Sequence, residues 1–263
     1  MSDKPTFKDI AVDLDEHVAL IEICRPPHNY FDVALIDQLA TALEMFDADP
    51  ACRAVVLAAQ GKSFCAGANF ASNDASTESA TRESATAQLY RNAVRLFRSR
   101  KPIVAAVHGA AIGGGLGLAL ATDFRVTCAE ATFSANFTKL GFHPGFGLTV
   151  TLPELIGKNA AALLMLTGRR IKGDEAQRIG LADMLVAHDQ VLNAALALAK
   201  EIASCAPLGV LATRATLRRG LVERVTMATE HELAEQGRLR QTQDFAEGVR
   251  ASIERREPKF SGR

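Results

Sequence analysis

The stretch AAVHGAAIGGGLGLALATD, Ala105 to Asp123, has no charged residue before its end and concentrates glycine at positions 109, 113, 114, 115 and 117. Extended back to Ile103 it opens as a short apolar run, and it closes on Leu116 to Ala121, a helical pattern. It therefore reads as strand, glycine turn, helix. A membrane span starting at Pro102 is the rival reading, because the uncharged run approaches the roughly 20 residues a bilayer requires. Gly109 and Gly113 would then form a helix-pairing GxxxG. The glycines and His108 count against a span, and the strand–turn–helix reading accounts better for Ile103 to Val107.

Other segments share the character of that first strand. Ala54 to Ala59 (AVVLAA) is almost wholly apolar, as a strand buried on both faces must be, and Phe124 to Cys128 repeats it. Upstream, Ile10 to Leu14 and Val18 to Cys24 form a hairpin pattern across Asp15-Glu16-His17. The prolines of RPPHNYFD, Arg25 to Asp32, end that regularity. Asp32 is placed to cap a helix carrying Ile36, Leu39, Ala40, Leu43 and Phe46 at helical spacing. Alternation of buried strands with helices predicts an α/β fold with parallel pairing. Ala71 to Gln88, rich in Ser, Thr and Ala, reads as a surface loop or, more sharply, a lid over a site. Beyond Lys158 the pattern is helical over Ala160–Leu166, Asp174–Ile179, Val191–Ser204, Leu208–Arg219, Val222–Gln236 and Asp244–Glu254. A soft boundary near Ala206 divides the chain into a core, 1–205, and a helical C-terminal region, 206–263.

Composition narrows the function classes. The 263 residues are 48% hydrophobic and 23% charged, and 30 basic residues cancel 30 acidic ones. That balance argues against a nucleic-acid or membrane-surface partner. Beyond Arg218-Arg219 and Arg255-Arg256 no basic cluster stands out. Cys24, Cys52, Cys65, Cys128 and Cys205 are scattered without metal-ligand spacing, so free thiols in a reducing compartment and no metal are expected. The opening MSDKPTFKDI has no signal-peptide run, which leads to the expectation of a cytoplasmic protein.

A second turn, GKSFCAGANF (residues 61–70), also leaves a buried strand into small residues. Both turns let backbone N–H groups approach a ligand without side chains in the way. Donors near Ala68 and Gly114, one from each turn, would make an oxyanion hole. Close packing of a helix on a strand also demands glycine, and either turn alone fits that use. A dinucleotide fingerprint fails because Leu118 stands where G-x-G-x-x-G needs its last glycine. The Gly-Lys-Ser/Thr of a P-loop and the G-x-S-x-G elbow are both missing.

In order and spacing these motifs resemble the crotonase superfamily, the enoyl-CoA hydratase/isomerase family, over nearly the whole chain. RPPHNYFD is similar to its RPxxxNAL, SFCAGANF to FxAGAD, and KPIVAAVHGAAIGGGLGLALATDFRV to KPxIAAVxGxAxGGGxELAxxCDxxxA. LTGRRIKGDEAQRIGLAD and TQDFAEGVRASIERREPKF match two later motifs. The resemblance implies a ββα spiral core and a helical C-terminal trimerisation region, as a homotrimer or dimer of trimers. It implies a coenzyme A thioester as substrate, with no tightly bound cofactor. The amides of Ala68 and Gly114 would hold the thioester oxygen, with Ala66, Ala68 and Asn69 along the pantetheine. Arg25 would meet the CoA nucleotide, as would Lys259 and Phe260, which in this family can come from a neighbouring subunit. Arg25 and Lys259 are equally readable as ordinary solvated cations.

The departures matter as much. A hydratase of this family uses two glutamates, since adding water across a double bond requires one proton taken and one given. Their positions are Gly117 and Phe137 here, and an aspartate used by other members would fall at about Pro144 or Gly145. His143 is the positional candidate for general acid or base, readable also as a loop histidine bonded to backbone or water. Tyr90 and Glu83 border the 71–88 segment as lid candidates, Asn69 can orient but not titrate, and His28 and Cys65 read as structural. Phe133, Phe137, Phe142 and Phe146 suggest an apolar, bulky or cyclic acyl group. The expectation is an acyl-CoA-processing enzyme performing hydrolysis, decarboxylation or C–C cleavage rather than dyad hydration. The alternative is a non-catalytic acyl-CoA binder.

Overall fold

Each pass of the chain lays one long strand and one short strand, and the two kinds collect into separate sheets. A computed structural model describes residues 6–69 and 79–263, the side chains of 79–84 excepted. In chain order the elements are β1 (Ile10–Asp15), β2 (Val18–Ile23), α1 (Val33–Ala48), β3 (Ala54–Ala59), β4 (Ser63–Cys65), α2 (Ser79–Phe97), β5 (Ile103–Val107) and β6 (Ala110–Ile112). There follow α3 (Gly114–Leu120), β7 (Phe124–Thr127), β8 (Thr132–Ser134), a 3-10 turn (Asn136–Leu140), α4 (Leu148–Ile156), α5 (Lys158–Thr167), β9 (Ile171–Lys172) and α6 (Gly173–Arg178). The chain closes with β10 (Met184–Leu185), a 3-10 turn (His188–Gln190), α7 (Val191–Ser204), α8 (Pro207–Leu217), α9 (Leu221–Leu239) and α10 (Gln243–Glu254).

The six-stranded sheet has the order β1-β2-β3-β5-β7-β10 and the four-stranded sheet β4-β6-β8-β9. Only the hairpin β1/β2 and the pair β8/β9 are antiparallel. β3 with β4, β5 with β6, and β7 with β8 thus form successive two-strand steps, each followed by helix, and the parallel pairing predicted from AVVLAA and IVAAV is present. Every residue of β3 and β5 is buried, because sheet neighbours and covering helices leave no wet face. Asp32 caps α1 as expected, accepting from the Leu35 amide at 2.8 Å.

The strand–turn–helix reading of the stretch from Pro102 holds, since it is divided between β5, β6 and α3, and among the described residues no single helix is long and apolar enough to cross a membrane. Two other readings need correction. Of the expected loop 71–88, residues 71–78 lie outside the described residues, while the chain from Ser79 onward is helix α2. Tyr90, Ala93, Val94 and Phe97 give that helix its buried stripe at spacings of three and four, which its Ser/Thr-rich start conceals. The side chain of Glu83 lies outside the described residues. The sequence reading also missed α4, which continues through Pro153.

The C-terminal helices fold back on the core. α9 packs against α2 and α4, and α10 against the Asn136–Leu140 turn. α8 is tied to the sheet through Asp123, whose carboxylate accepts from Arg214 Nε at 2.8 Å, Arg218 Nη1 at 3.0 Å and the Ile103 amide at 2.8 Å. Both guanidiniums are largely buried. Removing the shared carboxylate strands two cations away from water, which costs about 3–5 kcal/mol for a buried pair. Asp123→Ala is therefore expected to lower unfolding stability by at least about 3 kcal/mol, read from the urea midpoint. An unchanged midpoint would show the cluster to be solvated.

Candidate active site

The two glycine turns meet backbone to backbone. β4 runs into Ala66 and Gly67, and Gly67 takes φ +83°, a conformation that disfavours any residue with a Cβ. A Cβ there would also lie 2.8 Å from the Ile112 carbonyl oxygen and 3.8 Å from the Gly114 nitrogen. From the other side, a Cβ on Gly115 would run into the Cys65 carbonyl. Phe31 fixes the first turn by donating its amide to the Gly67 carbonyl at 3.0 Å and bridging to Ala68. Ser134 fixes the second by accepting the Gly113 amide at 2.8 Å. The amides of Ala68 and Gly114 donate to no acceptor among the described residues, and both residues border one cavity of about 570 Å³. That volume suits a small-molecule site.

Aromatic rings build the wall beyond the turns. Phe31 and Phe146 pack at a centroid distance of 5.5 Å, Phe137 and Phe142 at 5.4 Å, and all four rings line the cavity. Leu89, Ile112 and Leu140 complete the apolar surface. The positions where the family resemblance puts carboxylates are closed in three ways. Residue 137 is itself a buried phenylalanine. A Cβ at position 117 would lie 2.7 Å from the Phe146 Cβ and 2.8 Å from its Cδ1, so the Phe146 ring occupies the space of any side chain there. A Cβ at Gly145 would run into the Tyr90 hydroxyl and lie 2.6 Å from the Gln236 amide nitrogen. Phe146 holds φ +64°, an uncommon conformation for a bulky residue.

The turn bearing Gly145 and Phe146 is held from α9. Glu232, fully buried, accepts from the Gly147 amide at 2.8 Å, the Thr149 amide at 3.1 Å and the Thr149 hydroxyl at 2.6 Å. It thereby caps α4 from another helix. Burial pushes its carboxyl pKa up, and those donors partly offset the push. One turn further along α9, Gln236 accepts from the Tyr90 hydroxyl at 3.0 Å and donates to the His143 carbonyl at 2.8 Å.

Among the sequence candidates, Ala66, Ala68, Asn69, Gly114 and Tyr90 come together on the cavity. His143 does not line it. The imidazole Nδ1 lies 2.8 Å from the Pro144 carbonyl oxygen and its ring packs edge-on to His231 at 5.7 Å, so only the backbone of His143 serves the wall. Arg25 also stands off the cavity, paired to Asp9 at 2.7 Å and Asp32 at 2.9 Å, and those carboxylates raise its pKa. Lys259 lies on a separate surface cleft beside Glu247 and Arg256, and Phe260 is exposed, so neither reaches the cavity of its own chain. The Cys65 thiol is fully buried and pushed up to about 12 by that burial, which rules out a thiolate at neutral pH. His28 contributes its carbonyl to the Ala66 amide at 3.0 Å, a structural use. Among the described residues no group of three or more His, Cys, Asp or Glu could hold a metal ion.

Sequence reasoning missed Gln236, Glu232, Arg240, Arg170, Arg255 and the plugging role of Phe146. A signal existed for two of them. Val225, Thr229, Glu232 and Gln236 form the buried stripe of α9 at spacings of four, three and four, and polar residues on a buried stripe require partners.

A family model described as enoyl-CoA hydratase/isomerase matches residues 13–263. The "Probable enoyl-CoA hydratase EchA14" of Mycobacterium tuberculosis is 36% identical over 256 residues, covering 95% of this chain and 99% of the relative. The crotonyl-CoA hydratase of Syntrophomonas wolfei is 33% identical over 257 residues, covering 97% and 98%. Among solved structures, an enoyl-CoA hydratase/isomerase from Pseudoalteromonas atlantica superposes with a TM-score of 0.86 at 32% identity, covering 97% of this chain and 100% of the other.

The contact between Gly117 and Phe146 makes a direct test. Gly117→Ala is expected to destabilise by about 1–3 kcal/mol through overpacking, although alanine is the better helix former. In a Phe146→Ala background the penalty should vanish, leaving a coupling energy above about 1 kcal/mol in a double-mutant cycle. Additive effects would mean that the ring does not fill that space.

Proposed function

Because the chain belongs to the enoyl-CoA hydratase/isomerase family, whose crotonase-type fold it shares, we propose that it is an enzyme acting on an acyl-CoA thioester, and that the Ala68 and Gly114 amides receive the thioester carbonyl oxygen. The observation that carries this reading is the pair of undonated amides, from turns in mutual contact, on one aromatic-walled cavity. Preorganised donors of this kind stabilise developing negative charge on an enolate or tetrahedral oxyanion, each by about 3–4 kcal/mol. They do so without reorganising, since the strands behind them are fixed.

Charge elsewhere in the cavity fits the rest of such a substrate. Arg170 and Arg255 are exposed cavity-lining cations able to meet CoA phosphates. Ala66 and Asn69 line the same cavity, where the pantetheine would run. Lys259 and Phe260 would serve a neighbouring subunit's site. The exposed Leu208 and Leu217 of α8 support assembly as a homotrimer or dimer of trimers.

The reaction best matched to these residues is cleavage of an activated acyl group, by hydrolysis, decarboxylation or C–C scission. Each needs its oxyanion or enolate stabilised and none needs the two-carboxylate dyad. Asp32 is the sole acidic residue lining the cavity among the described residues, and it is engaged by the Leu35 amide and Arg25. That same engagement favours the second reading, an acyl-CoA binder without turnover.

Incubation with saturated, unsaturated, β-keto and cyclic acyl-CoAs, followed by mass spectrometry, should yield cleaved or decarboxylated products and negligible hydration of crotonyl-CoA. Ala68→Pro, which deletes one donor, should lower turnover by about 100-fold or more while acyl-CoA binding persists. Crotonyl-CoA hydration at an enzymatic rate would overturn the reading, and binding without turnover across the panel would leave the binder.

A further inference from the structure

Strands β6 and β8 leave the second sheet side by side. Their parallel register pairs Ile112 with Ser134, and the Gly113 amide donates to the Ser134 carbonyl at 2.8 Å. Two residues beyond that pair stand Gly114 on one exit and Asn136 on the other. Gly113 leaves the space between them open. A Cβ there would lie 3.2 Å from the Asn136 Oδ1, so the carboxamide rests beside the peptide whose N–H is the Gly114 donor. The Asn136 backbone is itself held: a Cβ on Gly168 would lie 3.3 Å from its Cα, and the Thr138 hydroxyl in the same turn donates to the Met165 carbonyl at 3.0 Å.

The other polar side chains lining the cavity are exposed or bonded within the protein, as Tyr90 is to Gln236, Gln236 to the His143 carbonyl, and Arg240 to Thr86. Asn136 is neither. It is half-buried on the cavity wall, and among the described residues its carboxamide has no hydrogen-bond partner. Beside Phe137 and Leu140 on the same wall, such a group gives up hydrogen bonds to solvent and gains none from the chain until the cavity holds a polar partner.

From this placement we infer that Asn136 is a third hydrogen-bond donor to the thioester oxygen, acting beside the Ala68 and Gly114 amides. The inference rests on the acyl-CoA reading above and deepens it. A carbonyl oxygen only accepts, so of the two ends of the carboxamide the NH2 is the one that meets it. The group does not titrate and delivers no proton. Its contribution is a dipole aimed at the charge that develops on oxygen as an enolate or tetrahedral centre forms.

The test uses the full-length protein and a ketone analogue of hexanoyl-CoA, 13C-labelled at the carbonyl, in which a methylene replaces the thioester sulfur so that the ligand is not hydrolysed. Hydrogen bonds donated to a carbonyl oxygen move its carbon resonance downfield, so the saturated wild-type complex should show a downfield displacement from the free analogue. Asn136→Ala should remove roughly one third of it, the share of one donor in three, and leave the urea midpoint unchanged. Asn136→Asp at about pH 8 sets an ionised carboxylate where the donor was and should remove at least as much. That variant is nearly isosteric and carries the test alone if the alanine variant does not fold. A displacement kept in full by either variant overturns the third donor and leaves the acyl-CoA reading standing. An analogue that does not bind wild type, or binds it with no displacement, overturns the proposed amide pair, and this inference with it.

Discussion

Contact between two stretches of bare main chain underlies everything at this cavity. Gly115 lies against the Cys65 carbonyl and Gly67 against the Ile112 carbonyl, so neither turn tolerates even a methyl group at its point of approach. Strands β4 and β6 pair in parallel directly behind that contact, which sets the spacing of the residues that follow. Phe31 and Ser134 then hold each turn by a backbone hydrogen bond of ordinary length. An amide that must receive charge without moving is best mounted on such a support, since hydrogen-bonded sheet and close-packed backbone resist displacement.

Three positions at which the family resemblance would put carboxylates are a phenylalanine, a glycine filled by a phenylalanine ring, and a glycine filled by a tyrosine hydroxyl and a glutamine amide. Their space is occupied rather than vacated, and the occupants come from α2, α9 and the turn before α4. Glu232, the one buried carboxylate of that region, is spent on the α4 N-terminus, where it satisfies three donors. Its work is to hold Phe146 in place from a distance.

Much of the core was legible in the chain itself. AVVLAA and IVAAV announce strands buried on both faces, and Asp32 announces the start of α1, because these depend on local composition. The short strands of the second sheet were not legible. β4, β6, β8 and β9 have three residues or fewer, too few to show a period, and exist because the longer strands bring them together. The cavity divides the same way. Ala68 and Gly114 could be named from their turns, since an exposed amide announces itself by small neighbours, whereas Ala66 and Asn69 followed only from the family resemblance. His143 could be named by position but not oriented, and its imidazole turns toward His231 instead. Gln236 meets Tyr90 across 146 positions, a separation that no local pattern encodes.

The Phe146 ring over Gly117 also constrains what these two positions can hold. A glutamate arriving at position 117 alone would meet the ring before it reached the cavity, and a smaller residue arriving at 146 alone would leave a hole beside Phe31. Either single change leaves a less stable wall than the two made together, so positions 117 and 146 are coupled through the ring, and a side chain at 117 can reach the cavity only if the residue at 146 gives way to it.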